Sequence, residues 1–138
     1  MNTKLSGDTT SSLSAADRQL AGDLYSLEEF MRANLSETVE IQTIMFLLEV
    51  ARHEDPPDLT TVGARLNISK AAASRNFYRL ADGKGGVGGL DLIKSLVDYQ
   101  DRRRVILTLT PKGITLVKTI VDFCAKRSAK QAAYATQE

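Results

Sequence analysis

Between residues 59 and 83 the chain reads LTTVGARLNISKAAASRNFYRLADG, and no other stretch limits its possible folds so tightly. The spacing predicts a short helix over about Thr61–Leu66, a three-residue break, NIS, and a longer helix over about Lys70–Ala81. Ser69 stands where an N-cap belongs, its oxygen placed to accept from an early backbone N–H. Val62, Leu66 and Ile68 supply one side of a small core. Ala73, Phe77 and Leu80, at i, i+4 and i+7, supply the other. What remains on the second helix is Lys70, Ala71, Ser74, Arg75 and Tyr78, a face of small, polar and cationic groups. Two short helices with a tight turn and faces divided in this way make a helix-turn-helix.

At 138 residues the chain is long enough to bury one core without disulfides or metals. Residues 1–13, rich in Ser, Thr and Gly, read as a flexible arm, and 14–138 as a single domain. Ser14 caps a first helix, with Asp17 three residues on; Leu20, Leu24, Leu27 and Met31 line one of its faces. A second helix is expected from about Ser36 to His53. Val39, Ile41, Ile44, Met45, Phe46, Leu47, Leu48 and Val50 make it apolar nearly all round, so it is buried on several sides, by its own domain or by a partner. EDPPD at 54–58 ends it, because proline cannot continue the hydrogen-bond ladder.

After the helix-turn-helix comes GKGGVGG, read as a flexible joint. It contains G-x-G-x-x-G at Gly83, Gly85 and Gly88, but a dinucleotide fingerprint needs a strand before it and a helix after it, and here that order is reversed. LDLIKSLVDY and RRVILTLT then read as an antiparallel pair, with Val105, Leu107 and Leu109 pointing inward and the connection near Asp98–Arg103. Thr110 caps a last helix with Pro111 at its first position. That helix runs through Ile114, Val117, Ile120, Val121 and Cys124 and frays into an Ala/Lys/Gln tail. The fold class is therefore mainly α with a small β-hairpin: a winged helix-turn-helix flanked by N- and C-terminal helices.

Composition narrows the function. The formal net charge is only +1, yet residues 59–113 hold ten basic and four acidic side chains, while the rest hold eight and thirteen. A basic middle with acidic flanks binds phosphates on one face and stays soluble through the other. One cysteine excludes an internal disulfide and a Cys-based metal site, and one histidine leaves little from which to build a zinc centre or a Ser–His–Asp relay. No enzymatic constellation, cofactor or metal is expected. Cys124 reads as a packed thiol on an interface helix, and His53 as a favourable cation at a helix C-terminus. No apolar run is long enough to span a bilayer, and the polar N-terminus lacks a signal-like apolar stretch, which points to the cytoplasm.

LIKSLVDYQDRRRVILTLTPKG resembles the wing of the MarR family of transcription regulators. In that wing a Leu-Ile or Leu-Val strand precedes a D-R-R turn, an alternating strand and an L-T-x-x-G helix start. Asp101-Arg102-Arg103 and Leu109-Thr110-Pro111-Lys112-Gly113 occupy the matching places, and VGARLNISKAAASRNFYRL is similar to the family's helix-turn-helix. The resemblance covers roughly residues 15–125. The chain departs from the family in its longer glycine stretch and a C-terminal helix that reads as short.

The resemblance implies a sequence-specific regulator of transcription on double-stranded DNA, most often in this family a repressor. It also implies a homodimer formed through the terminal helices, about 14–53 and 111–135, with a DNA-binding lobe of about 59–110. The family's usual effector, a small aromatic acid, has no identifiable pocket here. Ser69, Lys70, Ala71, Ser74, Arg75, Tyr78 and Arg79 are the expected contacts on the recognition helix. Arg75 suits two-pronged binding of guanine, and Ala71 and Ala72 suit thymine methyls. On the wing, Arg102, Arg103 and Arg104 lie beside the minor groove. By resemblance Arg103 is the inserted residue, oriented by Asp98 or Asp101. The competing reading of the arginines is a surface salt-bridge cluster worth about 0–1 kcal/mol. The competing function is a winged-helix module of a phage or mobile element, serving replication, packaging or polymerase recruitment without operator control.

Overall fold

The computed structural model describes residues 12–84 and 87–135. The expected arm therefore lies almost wholly outside the described residues. Five helices and two small antiparallel hairpins follow in the order α1 (Ala15–Asn34), α2 (Ile41–Arg52), α3 (Leu59–Leu66), α4 (Lys70–Leu80), β1 (Gly83–Lys84), β2 (Val87–Gly88), β3 (Ile93–Val97), β4 (Val105–Leu109) and α5 (Pro111–Ala135). None of the described helices is long and apolar enough to cross a membrane.

α1 begins with the expected capping box: Ser14 Oγ accepts from Asp17 N–H while the Asp17 carboxylate accepts from Ser14 N–H. Its apolar stripe divides along its length. Met31 is buried and Leu27 half-buried, whereas Leu20 and Leu24 are exposed. α2 starts five residues later than the sequence suggests. The Leu35 N–H closes α1 on Met31, and Arg32 Nε donates to the Glu37 carbonyl, so residues 35–40 form a turn instead of a first helical turn.

α2 is the hub. Phe46 and Leu47 are fully enclosed, and with Val50 they meet Val62 of α3, Leu80 of α4, Leu107 of β4 and Ile120 of α5 in one core. Of the several sides expected to be buried, by its own domain or by a partner, this one is covered within the chain. Ile41, Met45 and Leu48, at i, i+4 and i+7, stay exposed in the single chain.

The wing pairs β3 with β4 from Ile93↔Leu109 to Val97↔Val105. Leu107 is buried and Leu109 half-buried, but Val105, expected to point inward, is 36% exposed because it lies at the outer end of the ladder. Ahead of α3, Pro57 adds to the wing: the Leu107 N–H donates to its carbonyl at 2.8 Å, and Asp58 bridges to Ile106.

The glycine segment is not a free joint. Gly83 pairs with Gly88 and Lys84 with Val87, and both glycines hold φ near +80° (84° and 82°), which a side chain disfavours. The chain then returns to the end of α4, where Leu90, Asp91 and Leu92 donate to the carbonyls of Arg79, Ala81 and Leu80. The insertion leaves and re-enters at one place, so the wing keeps its seat. Residues 85 and 86 lie outside the described residues.

α5 has 25 residues, on the order of 37 Å, over the extent of about 111–135 expected for the last helix. It pairs with α1 through stacked Phe30 and Phe123 rings (5.6 Å) and an Arg127–Asp23 ion pair at 3.1 Å, with Arg127 also over the Phe123 ring. Cys124, expected to pack on an interface helix, is exposed in the single chain.

Candidate nucleic-acid interface

α4 is set up by its ends and its underside. Ser69 Oγ accepts from Ala72 N–H at 3.1 Å, the expected cap. Asn67 adopts the left-handed conformation (φ 55°) that turns the chain between α3 and α4. α3 begins at Leu59, two residues earlier than expected, because Asp58 caps it: Asp58 Oδ1 accepts from Thr61 N–H at 2.7 Å.

The exposed face of α4 carries Lys70, Ala71, Arg75 and Tyr78, with Ser74 half-buried beside them. Ala72 is buried and faces the core, so it does not share that face. Tyr78 packs edge-on against Phe77. Between α3, α4 and the wing lies a cleft of about 420 Å³, whose polar lining includes Ser69, Lys70, Ser74 and Arg103. Helix-turn-helix and wing thus share one concave surface.

The three wing arginines differ. Arg103 is 92% exposed and makes one local attachment, with its Nε and backbone N–H both on Asp101 Oδ1 (3.2 and 3.1 Å). Arg102 is exposed as well. Arg104 is committed elsewhere: Nε and Nη2 donate to Asp58 Oδ2 at 3.1 and 2.8 Å, and Nη1 to Asp98 Oδ2 at 3.2 Å. It fastens the wing to the start of α3. Asp98 also shapes the tip, accepting from the Gln100 and Asp101 N–H groups. Asp101 is therefore the carboxylate on Arg103, and Asp98 the one on Arg104.

Arg79 also departs from the expected face. Its Nη1 points to α2, 3.4 Å from Thr43 Oγ1 and 3.7 Å from Glu40 Oε1.

Three residues absent from the sequence reading hold this surface in place. Asn76, 4% exposed, accepts from Thr43 Oγ1 at 2.7 Å and donates to Gln42 Oε1 and the Ala72 carbonyl, each at 2.9 Å. A buried polar bridge so locks α4 onto α2. Alanine at Asn76 strands the enclosed Thr43 hydroxyl, and chemical denaturation is expected to show a loss of about 2 kcal/mol. Glu49, also buried, gathers His53 (2.8 Å), Arg52 and Arg65 (both 3.5 Å), tying the end of α2 to α3. His53 thus serves as Glu49's partner at the helix end. Asp58 is the third, and its signal was present: an Asp three residues before Thr61, directly after two prolines.

These carboxyls are held below their ordinary range. The cause is first the Thr61 backbone N–H for Asp58, the Gln100 N–H for Asp98 and the His53 hydrogen bond for Glu49. Reciprocally, the Asp58 hydrogen bond raises Arg104. A carboxyl depressed on folding adds stability that is complete above its unfolded pKa, about 4, and is lost as pH falls through the folded value. Melting temperature is therefore expected to hold between pH 7 and 5 and drop below about pH 4. Asp58→Asn should flatten that acid limb, and an unchanged limb would remove Asp58 from the account.

Among the described residues no group of three or more His, Cys, Asp or Glu side chains is arranged to hold a metal.

No family model and no curated protein sequence matches the chain. Solved structures do. A complex of MepR from S. aureus with DNA superposes with a TM-score of 0.69 at 18% identity, covering 90% of this chain and 94% of that one. FabT from Streptococcus pneumoniae, also in complex with DNA, gives 0.61 at 18% identity, over 84% and 76%. The PcaV transcriptional regulator from Streptomyces coelicolor gives 0.53 at 20% identity, over 90% and 92%. The architecture defined by α3, α4 and the β3–β4 hairpin is a winged helix. With α1 and α5 included, it is the fold of the MarR-type regulators.

Proposed function

We propose that the protein is a sequence-specific regulator of transcription that binds double-stranded DNA in the cytoplasm as a homodimer, repressing by occupying a palindromic operator. The observation that carries this reading is the cleft shared by Ser69, Lys70 and Ser74 of α4 and Arg103 of the wing. A duplex offers a matching pair of features one groove apart. α4 enters the major groove with Arg75 toward base edges and Ala71 and Tyr78 alongside, while Lys70 and Ser74 meet phosphates. The wing tip lies beside the minor groove with Arg103 and Arg102. Ser69 contributes mainly by its cap, which fixes the start of α4. Arg104, Asp98 and Asp101 act as positioning groups. That MepR and FabT have each been seen with DNA supports the same use of the fold here.

The homodimer is supported by what one chain leaves uncovered. Leu20, Leu24 and Tyr25 on α1 and Ile114 and Val121 on α5 are all more than 40% exposed. A second copy related by a two-fold axis covers both helices with one self-complementary patch. Two recognition helices then meet half-sites about one helical turn apart, ~34–36 Å.

The test is selection of bound DNA from a random duplex library at physiological salt. An enriched palindrome with half-sites about ten base pairs apart is the expected outcome. Binding without enrichment would replace operator control with a recruiting or architectural role, and no binding would return the arginines to a solvated cluster.

A further inference from the structure

We propose that the outer end of the wing, formed by Val97, Val105 and Tyr99, is an apolar edge that packs on the deoxyribose walls of the minor groove, so that the wing holds DNA by sugar C–H surface as well as by charge. Its placement on DNA rests on the reading above; the edge itself follows from the strands.

Strand alternation puts Ile93, Ser95 and Val97 on one face of β3, with their partners Leu109, Leu107 and Val105 on the same face of the ladder. At its base this face closes the core through Ile93 and Leu107. It does not turn polar where the core ends. Val97 is 64% exposed and Val105, directly opposite, is the outermost residue of β4, although the solvent-facing parts of antiparallel strands ordinarily carry polar side chains. Two residues beyond Val97, Tyr99 is 83% exposed. The tip that carries it consists of two turns, each fastened by an aspartate. Asp98 Oδ1 accepts from the Gln100 and Asp101 N–H groups, and Asp101 Oδ1 from the Arg103 N–H. Arg104 ties Asp98 in turn to Asp58 at the start of α3. Tyr99 is therefore presented on a frame anchored to the helix-turn-helix.

The neighbours of this edge decide what it meets. Val105 lines the same cleft as Lys70, Ser74 and Arg103, and Val97 is its cross-strand partner on that face. Arg102 and Arg103 occupy the corners of the second turn, which the Arg104 N–H closes on the Asp101 carbonyl. A protein surface covering the valines would have to accommodate these charges as well. Phosphates suit the arginines but give valine nothing: an apolar side chain laid on a phosphate strips its water without replacing a hydrogen bond. The minor groove offers both surfaces at once, with deoxyribose C–H walls for the valines and the ring and negative potential for the arginines.

The test uses the full chain and the duplex enriched by the library selection, or a mixed-sequence duplex where binding comes without enrichment. Tyr99→Ser should weaken binding about tenfold and Val97→Thr about threefold. The salt slope should stay as in wild type, because no phosphate contact is lost. Tyr99→Phe should bind as tightly as wild type, since the ring and not the hydroxyl makes the contact. Hydroxyl radicals cut DNA by attacking sugar C–H bonds that face the minor groove. They should find the sugars under the wing protected by the wild type and open with Tyr99→Ser. If Val97→Thr loosens the hairpin, as a lowered melting temperature would reveal, the Ser and Phe variants at position 99, outside the ladder, decide alone. The proposal is overturned by wild-type affinity in Tyr99→Ser, or by a salt slope that falls as expected for Arg103→Ala. Tyr99→Phe as weak as Tyr99→Ser also overturns it, by giving the contact to the hydroxyl. So does a changed oligomeric state of Tyr99→Ser without DNA, which would make the edge an interface between copies. A wild type that binds no duplex strikes the DNA reading and the edge with it; a wild type that binds, beside variants that bind equally, strikes the edge alone.

Discussion

Alanine at Arg103 is expected to weaken binding to every duplex by a similar factor, about five- to tenfold at physiological salt, and to reduce the salt slope by about one. Alanine at Arg75 is expected to do something different: to relax base preference at one position per half-site, by about 1–3 kcal/mol. Arg103 lines the cleft between α3, α4 and the wing, and Arg75 stands on the exposed face of α4; in the proposed docking they meet different chemistry. Arg103 is almost wholly exposed and, among the described residues, tethered by Asp101 alone, so its removal should leave the fold untouched and delete one exposed positive charge. Charge near phosphates acts through counterion release and carries no sequence information. Arg75 projects from α4, whose underside is fixed to α2 by Asn76, so in the proposed docking its guanidinium has a defined approach to base edges. The check is affinity for the selected operator and its single-base variants at two salt concentrations. Arg104→Ala serves as a third arm. Its loss frees Asp58 and Asp98 and loosens the wing, so it should lower affinity together with melting temperature, which Arg103→Ala should not. Wild-type behaviour in both Arg75→Ala and Arg103→Ala would refute the docking geometry.

The helix-turn-helix was legible because its determinants are local. Ser69 as cap, the NIS break and the spacing of Ala73, Phe77 and Leu80 all act within one or two turns. The hairpin was legible for the same reason, as two alternating runs around a charged turn. What escaped reading depends on partners far along the chain. Asp58 lies 46 residues from Arg104, and Asn76 lies 33 residues from Thr43. From sequence alone a polar residue on a short helix reads as surface, and nothing local reveals that Asn76 faces a buried hydroxyl. The arginine run shows the same limit. Three identical neighbours read as one cluster, yet the wing's turn points Arg103 outward and Arg104 back onto Asp58.

Two other departures have a different origin. The Ala/Lys/Gln stretch of α5 read as a fraying tail because the apolar period stops near Cys124, but Ala, Lys and Gln are strong helix formers and carry the helix on to Ala135 without one. The glycine segment read as a joint because glycine permits many conformations. Here the ladder and the bonds back to α4 select one of them. Local composition sets what a segment is able to do; returning contacts decide what it does.

Gly113→Ala is expected to be among the most damaging single-methyl changes in the chain, costing about 3 kcal/mol, at the upper end for overpacking. The reason lies in how α5 is joined to the wing. Thr110 donates its N–H to the Leu92 carbonyl at 3.0 Å and its hydroxyl to the Asp91 carbonyl at 2.6 Å, while that same hydroxyl accepts from Gly113 N–H at 3.0 Å. The first turn of α5 is thus pressed against the backbone at residues 91–92. A Cβ at position 113 collides with the Leu92 carbonyl, a backbone atom that cannot swing aside as a flexible side chain would. Relief requires α5 to lift, and lifting strains the Thr110 bonds that cap it. Leu116 and Ile120, buried one and two turns further along, shift with it out of the shared core. An Ala-for-Gly change on a helix would ordinarily stabilise by restricting the unfolded chain, by about 0.4–1 kcal/mol. Gly22, with open space around its would-be Cβ, is the matched control and should gain that amount. Opposite signs at the two positions, read from denaturant midpoints, would assign the cost to the contact with Leu92. Similar small gains at both would mean that the α5–wing junction is slack and that the seat of the wing on α5 is fixed elsewhere.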